Sequence, residues 1–237
     1  MKATLLFFFT LTLTYTTYSQ INESAYAKML DASLVVDQFF GMYGISIEDL
    51  KNINGSPYEE NYFQPGFIYS NNELTASNIP MRYNIFADEI EINTSHDPNQ
   101  QNINVLGKSP NVFAKIGPDV YVFVENLSSA DLSGYFNVAH EGEHFDLYKK
   151  SRVNYVEKRF AETTYQRDQP ARFDRTDTFY LVSNRGVFYE LPNNRRRFVA
   201  VFKEHDKEID TYIRSNRLDL RNENDLKKIV KYFNEIL

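Results

Sequence analysis

The chain has 237 residues, with 26 basic and 32 acidic side chains, a net charge of −6, and no cysteine. The lack of cysteine excludes disulfides, a lipid-modified cysteine, thiol catalysis and thiolate metal sites. Residues 20–139 carry fifteen acidic and only five basic side chains. This acidic front half argues against nucleic acid as a partner, because contacts with phosphates need concentrated lysine and arginine.

The first nineteen residues have the pattern of an export signal. Lys2 precedes an apolar run that continues to Leu13, and small side chains at Thr17 and Ser19 mark a cleavage site. The apolar run is shorter than the about 20 residues that a transmembrane helix needs. The sequence therefore predicts a signal peptide over residues 1–19, no transmembrane segment, and an exported product that is periplasmic or secreted. An uncleaved anchor is the alternative.

The segment 20–53 is predicted to be helical, with its helix over residues 22–40. Gly41 and Gly44 follow this helix as terminators. We expect a helix that packs on the rest of the fold, and a helix that binds a partner is the alternative. The apolar stripe of the helix consists of Tyr26, Met29, Leu30, Leu34 and Phe39.

From residue 54 to residue 192, turn residues separate short runs of β-branched and aromatic residues. The short connections between these runs predict antiparallel meander pairing and not β-α-β units. The predicted strands are 66–70, 81–86, 89–93, 112–116, 120–125, 135–140, 143–150, 153–159, 178–183 and 187–191.

The C-terminal part, residues 193–237, is predicted to be helical again. Asn193 or Asn194 can cap a helix that runs through Phe202, and a second helix covers residues 203–214. A third helix over residues 222–236 has an apolar stripe and an acidic first turn. The whole pattern predicts an α+β fold in one domain over residues 20–237. Its centre is a mainly antiparallel β-sheet, a sandwich or partly open barrel, with an N-terminal helix and two to three C-terminal helices.

One motif in the chain suggests catalytic chemistry. His140-Glu141-Gly142-Glu143-His144 matches the H-E-x-x-H pattern. On a helix, this spacing places both imidazoles on one face, where they can bind zinc while Glu141 activates the bound water. That arrangement would make the protein a zinc metallopeptidase.

The residues around the motif favour a β-hairpin over this helix. Apolar and polar residues alternate on both sides of the Glu141-Gly142 pair, and Gly142 inside a helix would cost about 1 kcal/mol relative to alanine. We expect Gly142 to supply a positive φ at the turn, with His140 and His144 flanking it as a cross-strand pair. The prediction is thus a hairpin, with no catalytic, cofactor or metal residue assigned.

A third zinc ligand is also not evident. Glu157 and Glu162 are within range along the chain, but residues 153–160 have the pattern of a strand and not of a supporting helix. The sequence therefore predicts no metal or cofactor.

Arginine residues in the predicted strands have simple interpretations. Arg82 is expected to form an ion pair with Asp88 or Glu91 across a turn, worth little if it is exposed. Arg172 and Arg175 alternate with aromatic residues, and we expect their aliphatic stems to pack over those rings.

Several short motifs resemble a family of uncharacterised secreted or periplasmic proteins of Bacteroidetes bacteria. The family has no known activity, so the resemblance implies export to the cell envelope and no catalytic residues. The function expected is an exported, non-enzymatic protein that binds a protein or a cell-envelope component through its sheet or acidic front half, with the zinc metallopeptidase as the alternative. The motifs are Gly55-Ser56-Pro57-Tyr58, Phe63-Gln64-Pro65-Gly66, Arg82-Tyr83-Asn84-Ile85, Asp88-Glu89-Ile90-Glu91, Gly134-Tyr135-Phe136, Leu147-Tyr148-Lys149-Lys150, Asp225-Leu226 and Tyr232-Phe233-Asn234.

Overall fold

The computed structural model describes residues 26–31, 36–95, 102–126, 132–161, 163 and 165–237. The predicted signal peptide and the beginning of the predicted N-terminal helix lie outside these residues. The strands are β1 (Leu30–Asp31), β2 (Gln64–Ser70), β3 (Glu73–Asn84), β4 (Glu89–Asn93), β5 (Ile103–Leu106), β6 (Val112–Ile116), β7 (Asp119–Val124), β8 (Gly134–His140), β9 (Phe145–Val156), β10 (Arg172–Ser183) and β11 (Phe188–Leu191). The helices are α1 (Val36–Gly41), α2 (Ile47–Leu50), α3 (Arg195–Ala200), α4 (Asp206–Ser215) and α5 (Glu223–Ile236), with a 3₁₀ turn at Lys203–His205.

The eleven strands form one antiparallel sheet in the order β1-β5-β4-β3-β2-β6-β7-β8-β9-β10-β11. Strands β2 to β5 form one meander and strands β6 to β11 form another, and the pairing of β2 with β6 joins them. The two end strands do not pair with each other, so the sheet is open over the described residues. The predicted α+β class, with a mainly antiparallel meander sheet and C-terminal helices, is confirmed.

The predicted continuous helix over residues 22–40 is wrong where the structure describes it. Leu30 and Asp31 instead pair with Leu106 and Val105 as strand β1, and helix α1 begins only at Val36. The physical reason is the free edge of β5, whose backbone groups need hydrogen-bond partners.

Three long strands replace shorter predicted ones. Residues 143–150 and 153–159 were predicted as separate strands, but β9 runs unbroken from Phe145 to Val156. Strand β10 begins at Arg172, six residues before its predicted start, and pairs with β9 over twelve residue pairs. Strand β3 likewise begins at Glu73, and β5 was not predicted. The charged first half of β10 lacks an apolar pattern, and its pairing with β9 holds it in the sheet.

Two of the three C-terminal helices begin where their capping residues predict. The predicted second helix instead begins at Asp206 and not at Lys203, because residues 203–205 form a 3₁₀ turn. The Asn194 side chain accepts a hydrogen bond from the Arg197 backbone N–H at 3.1 Å at the start of α3. At the start of α5, the Asn222 side chain accepts from the backbone N–H groups of Asn224 and Asp225. Each cap satisfies donors that the first helical turn leaves without partners. Of the helices in the described residues, none combines the length and the apolar character that crossing a membrane requires.

Of the three apolar clusters in the described residues, we call the two larger ones the front core and the helix core. The front core packs residues of α1, β2 to β4 and β6 with Tyr135, Val153 and Phe173. The helix core packs α3, α4 and α5 against Leu147 and Leu181. Strands β9 and β10 therefore contribute one end to each core.

Candidate functional site

The H-E-x-x-H motif lies on a β-hairpin, as its residue pattern predicts. His140 is the last residue of β8, and His144 directly precedes the first residue of β9. The expectation of a cross-strand His140–His144 pair is wrong, because the register places His140 opposite Leu147. Across the residues that the structure describes, no group of three or more His, Cys, Asp or Glu side chains is placed to bind a metal ion.

Gly142 has a different role from the predicted one. Its φ is not positive. A Cβ atom at this position would collide with the backbone carbonyl oxygen of Phe145 and with the side-chain amide of Asn234 on α5. The glycine is therefore needed because both the hairpin backbone at Phe145 and the Asn234 side chain of α5 lie too close for a Cβ atom.

The Asn234 side chain on α5 makes four hydrogen bonds, three of which reach the hairpin. Its Oδ1 accepts from the backbone N–H groups of His144 at 2.8 Å and Phe145 at 3.0 Å. Its Nδ2 donates to the backbone carbonyls of Phe145 at 2.8 Å and Val230 at 2.9 Å. This side chain fixes the hairpin turn on the helix, a role that the sequence pattern did not indicate.

A buried ion pair lies on strands β3 and β4. Arg82 stands directly opposite Glu91, with 2.7 Å between its Nη2 and the carboxylate Oε2, and the two side chains are only 10% and 2% exposed. Glu91 also accepts from the Asn84 side chain at 2.8 Å, while the guanidinium lies 3.8 Å from the ring centroid of Tyr58. Burial and the Glu91 carboxylate raise the pKa of Tyr58. The predicted Arg82–Glu91 pair is confirmed, but it is buried.

A second charged cluster, which we call the Lys149 cluster, joins three parts of the fold. The Lys149 Nζ lies 3.0 Å from the Glu223 carboxylate on α5 and 3.6 Å from Glu59. Arg175 lies 2.7 Å from Glu59 and 2.9 Å from Asp177. Burial alone would lower the pKa of Lys149, but the neighbouring carboxylates of Glu59 and Glu223 outweigh it and raise the pKa. The Arg175 guanidinium therefore pairs with two carboxylates, a role that the sequence pattern did not predict.

Lys150, the next residue on β9, makes a third buried contact. Its Nζ donates to both carboxylate oxygens of Asp88, at 3.1 and 3.2 Å, and to the Tyr135 carbonyl at 3.0 Å. The Tyr83 hydroxyl donates to the same carboxylate at 2.6 Å. Gly134 has a φ of +113°, and a Cβ there would collide with Asp88 and Lys150. These residues fix the β3–β4 turn to β8 and β9.

A cleft of about 520 Å³ is a candidate binding site that lies apart from the histidine motif and the charged clusters. It lies between the segment around α2 and the loop that joins β9 to β10. Its volume falls within the range of about 300–1,000 Å³ typical of ligand pockets. The lining residues are Tyr43, Gly44, Ile45, Asp49, Asn52, Ile53, Tyr155, Glu157, Lys158, Phe160, Pro170 and Ala171.

Aromatic packing holds two tyrosine residues of the cleft lining in place. The ring centroid of Tyr43 lies 4.7 Å from that of Phe86 and 5.6 Å from that of Phe39. Tyr155 packs against the buried Phe173, with 5.4 Å between centroids. Such ring pairs add about 0.5–1.5 kcal/mol each beyond the area they bury. Tyr43 and Tyr155 are thus anchored on the front core.

Backbone hydrogen bonds hold the side of the cleft that the β9–β10 loop forms. Arg159 and Gln169 exchange two backbone hydrogen bonds, at 2.9 and 2.8 Å, just beyond the last residue of β9. This bridge holds Phe160 and Pro170 at the mouth of the cleft. Asn54 also donates its backbone N–H to the Ala171 carbonyl at 3.3 Å, which ties the α2 side of the cleft to β10.

The mouth of the cleft exposes large apolar side chains. Tyr43 is 46% exposed, Phe160 is 66% exposed, and Met42 beside Tyr43 is 73% exposed. Clustered exposed apolar groups around a concavity are typical of binding surfaces. The sequence pattern did not identify this site, because its two sides are separated by more than a hundred positions and neither contains a known motif.

Comparison with known proteins adds no relative: no family model matches the chain, and neither does a curated protein or a solved structure.

Proposed function

We propose that the chain is an exported, non-enzymatic protein that binds another protein or a component of the cell envelope, and that it does so at the cleft. The observation that carries the proposal is the rim of exposed aromatic side chains, Tyr43 and Phe160, on a concave site with supported walls. One side of the cleft belongs to the acidic front half. The signal-like first nineteen residues support export.

Several polar residues outside the cleft hold elements of the fold together, which supports a binding role for the protein. The hairpin that carries His140 and His144 is fixed to α5 by Asn234. The charged groups of the Lys149 cluster and of Lys150 pair with carboxylates from other elements. Chemistry at the ammonium groups of Lys149 and Lys150 would have to break these ion pairs between elements, whereas binding at the cleft disturbs none of them.

Affinity capture from an envelope extract tests the proposal. The wild-type protein and Phe160→Ala are immobilised side by side, with Tyr62→Ala as the matched control, since Tyr62 is 61% exposed and lies outside the cleft lining. We expect the wild type and Tyr62→Ala to retain the same envelope component and Phe160→Ala to lose most of it. Capture that is equal for all three proteins, or no capture by the wild type, would contradict the proposal.

The non-enzymatic part has its own test. Purified protein is incubated with peptide and glycan substrates, and the products are followed by mass spectrometry. We expect no turnover. Hydrolysis that scales with protein concentration and is lost on His140→Ala would replace the proposal by the metallopeptidase alternative.

A further inference from the structure

The lining of the cleft indicates the chemistry of its ligand. Three aromatic side chains, Tyr43, Tyr155 and Phe160, contribute to it. The face of an aromatic ring is weakly negative, so it attracts the weakly positive C–H groups on one face of a sugar ring. Tyrosine adds a hydroxyl that can bond to the sugar while its ring packs.

Polar groups are interleaved with these rings. Asp49 and Glu157 bring carboxylates that accept hydrogen bonds, Asn52 brings an amide that both donates and accepts, and Lys158 brings an ammonium that donates. The Asp49 carboxylate accepts from the Ser46 hydroxyl at 2.6 Å, which holds it in place at the N-terminus of α2. Sugar hydroxyl groups donate and accept at once, so they match a lining that offers both.

The charged residues of the lining favour a neutral ligand over a charged one. The lining carries two carboxylates and one ammonium, so it has charges of both signs. A polyanion would meet the carboxylates of Asp49 and Glu157 on a protein whose net charge is −6. A basic peptide would be repelled by the ammonium of Lys158, whose Nζ lies 5.5 Å from the ring centroid of Phe160. A neutral ligand avoids both conflicts.

We infer that the cleft binds a neutral glycan chain, whose sugar rings pack on Tyr43 and Phe160 and whose hydroxyl groups bond to Asp49, Asn52 and Glu157. The inference rests on the proposed function and specifies the ligand class. Because the rim residues are exposed, the cleft is open to solvent and can take an internal segment of a chain longer than the cleft itself.

Binding to defined probes tests the inference. The purified chain is screened against an array of neutral hexasaccharides of glucose, mannose and N-acetylglucosamine, together with sulfated and uronic-acid oligosaccharides and a decalysine peptide. Hits are measured by titration calorimetry. We expect binding to at least one neutral hexasaccharide and no preference for the charged probes. Raising the salt to about 0.5 M should leave the affinity unchanged, since no charge on the ligand is screened.

Variants locate the site. Phe160→Ala and Tyr43→Ala should each weaken the neutral hexasaccharide about three- to tenfold, the range expected for one aromatic contact. Tyr62→Ala is the matched control and should bind like the wild type. Circular dichroism of each variant checks that its fold is intact.

Each contrary result has a definite meaning. Binding of none of the neutral hexasaccharides by the wild type overturns the glycan inference, and so does binding that Phe160→Ala and Tyr43→Ala leave unchanged. Preferential binding of decalysine that is lost in Phe160→Ala also overturns it, but leaves the proposed function standing with a protein as partner. If Phe160→Ala affects neither the array nor the envelope capture, both the inference and the proposed function fail.

Discussion

The buried charged side chains of the described residues all pair with opposite charges. Arg82 and Glu91 face each other across β3 and β4 and are almost completely excluded from water. Removing one member leaves the other charge buried and unpaired, which is much more costly than the pair itself is stabilising. The position of Arg82 between Tyr58 and Glu91 also makes it a packing residue.

For this reason we expect Arg82→Ala to lower the free energy of unfolding by about 3–5 kcal/mol. The matched control is Arg172→Ala, whose ion pair with Asp174 involves side chains that are 41% and 50% exposed. An exposed pair of this kind contributes at most about 1 kcal/mol. Urea unfolding followed by circular dichroism measures both variants. Equal, small effects would show that the Arg82–Glu91 pair is open to solvent.

The two histidines of the H-E-x-x-H motif give a second prediction at this scale. Both flank a hairpin turn, so His140→Ala and His144→Ala should each change the free energy of unfolding by no more than about 1 kcal/mol. After dialysis, we expect elemental analysis to find no stoichiometric zinc. One zinc per chain, lost in both variants, would instead establish the metallopeptidase alternative with Glu141 as the base, and chelation should then lower the melting temperature.

At the scale of elements, helix α5 is connected to the sheet at both of its ends. Near its C-terminus, Asn234 holds the β8–β9 hairpin turn, and at its N-terminus Glu223 bonds to Lys149 of β9. Burial alone would raise the pKa of Glu223, but Lys227 and Lys149 outweigh this effect and lower it. The first turn of a helix adds a favourable place for a negative charge.

This lowered pKa predicts the acid sensitivity of the helix. A carboxyl group whose pKa is lower in the folded state contributes stability above its unfolded pKa of about 4.3 and loses that stability as the pH falls through its folded pKa. Glu223→Gln should therefore lose less stability than the wild type between about pH 6 and pH 3. Glu235→Gln, an exposed position on the same helix, serves as the control and should follow the wild type. Urea unfolding at each pH provides the measurement. Parallel pH curves for wild type and Glu223→Gln would contradict the assignment.

At the scale of the whole molecule, β9 and β10 connect the two cores. Val153 and Phe173 lie in the front core, while Leu147 and Leu181, on the same two strands, lie in the helix core. The two strands pair over twelve residue pairs, so neither core can unfold without disturbing the ladder that supports the other.

We therefore expect residues 20–237 to unfold in one cooperative transition, as a single domain. Far-UV circular dichroism and tyrosine fluorescence should give the same urea midpoint. Ile68→Ala in the front core and Ile229→Ala in the helix core should each lower both midpoints together, at a cost of about 2–5 kcal/mol. Two separate midpoints, each moved by only one of the variants, would divide the chain into two domains.

Short-range signals in the sequence predict several elements of this fold. Asn194 and Asn222 mark the starts of α3 and α5, because a cap acts on backbone groups two or three residues away. Alternation around Glu141-Gly142 predicts the hairpin at the motif, since side chains in a strand alternate between its faces. Each of these signals acts within a few residues, and each prediction is confirmed.

Tertiary structure alone decided the rest. The first half of β10 is charged, and it is a strand because β9 pairs with it; Leu30 and Asp31 form a strand because β5 has a free edge. At Gly142, the Asn234 side chain, ninety-two positions away, adds to the nearby Phe145 carbonyl in leaving no room for a Cβ atom. Tyr43 and Phe160 form one cleft only once the sheet has brought their segments together. Pairing, burial and cavity formation depend on contacts between residues far apart in the chain, and no local pattern encodes those contacts.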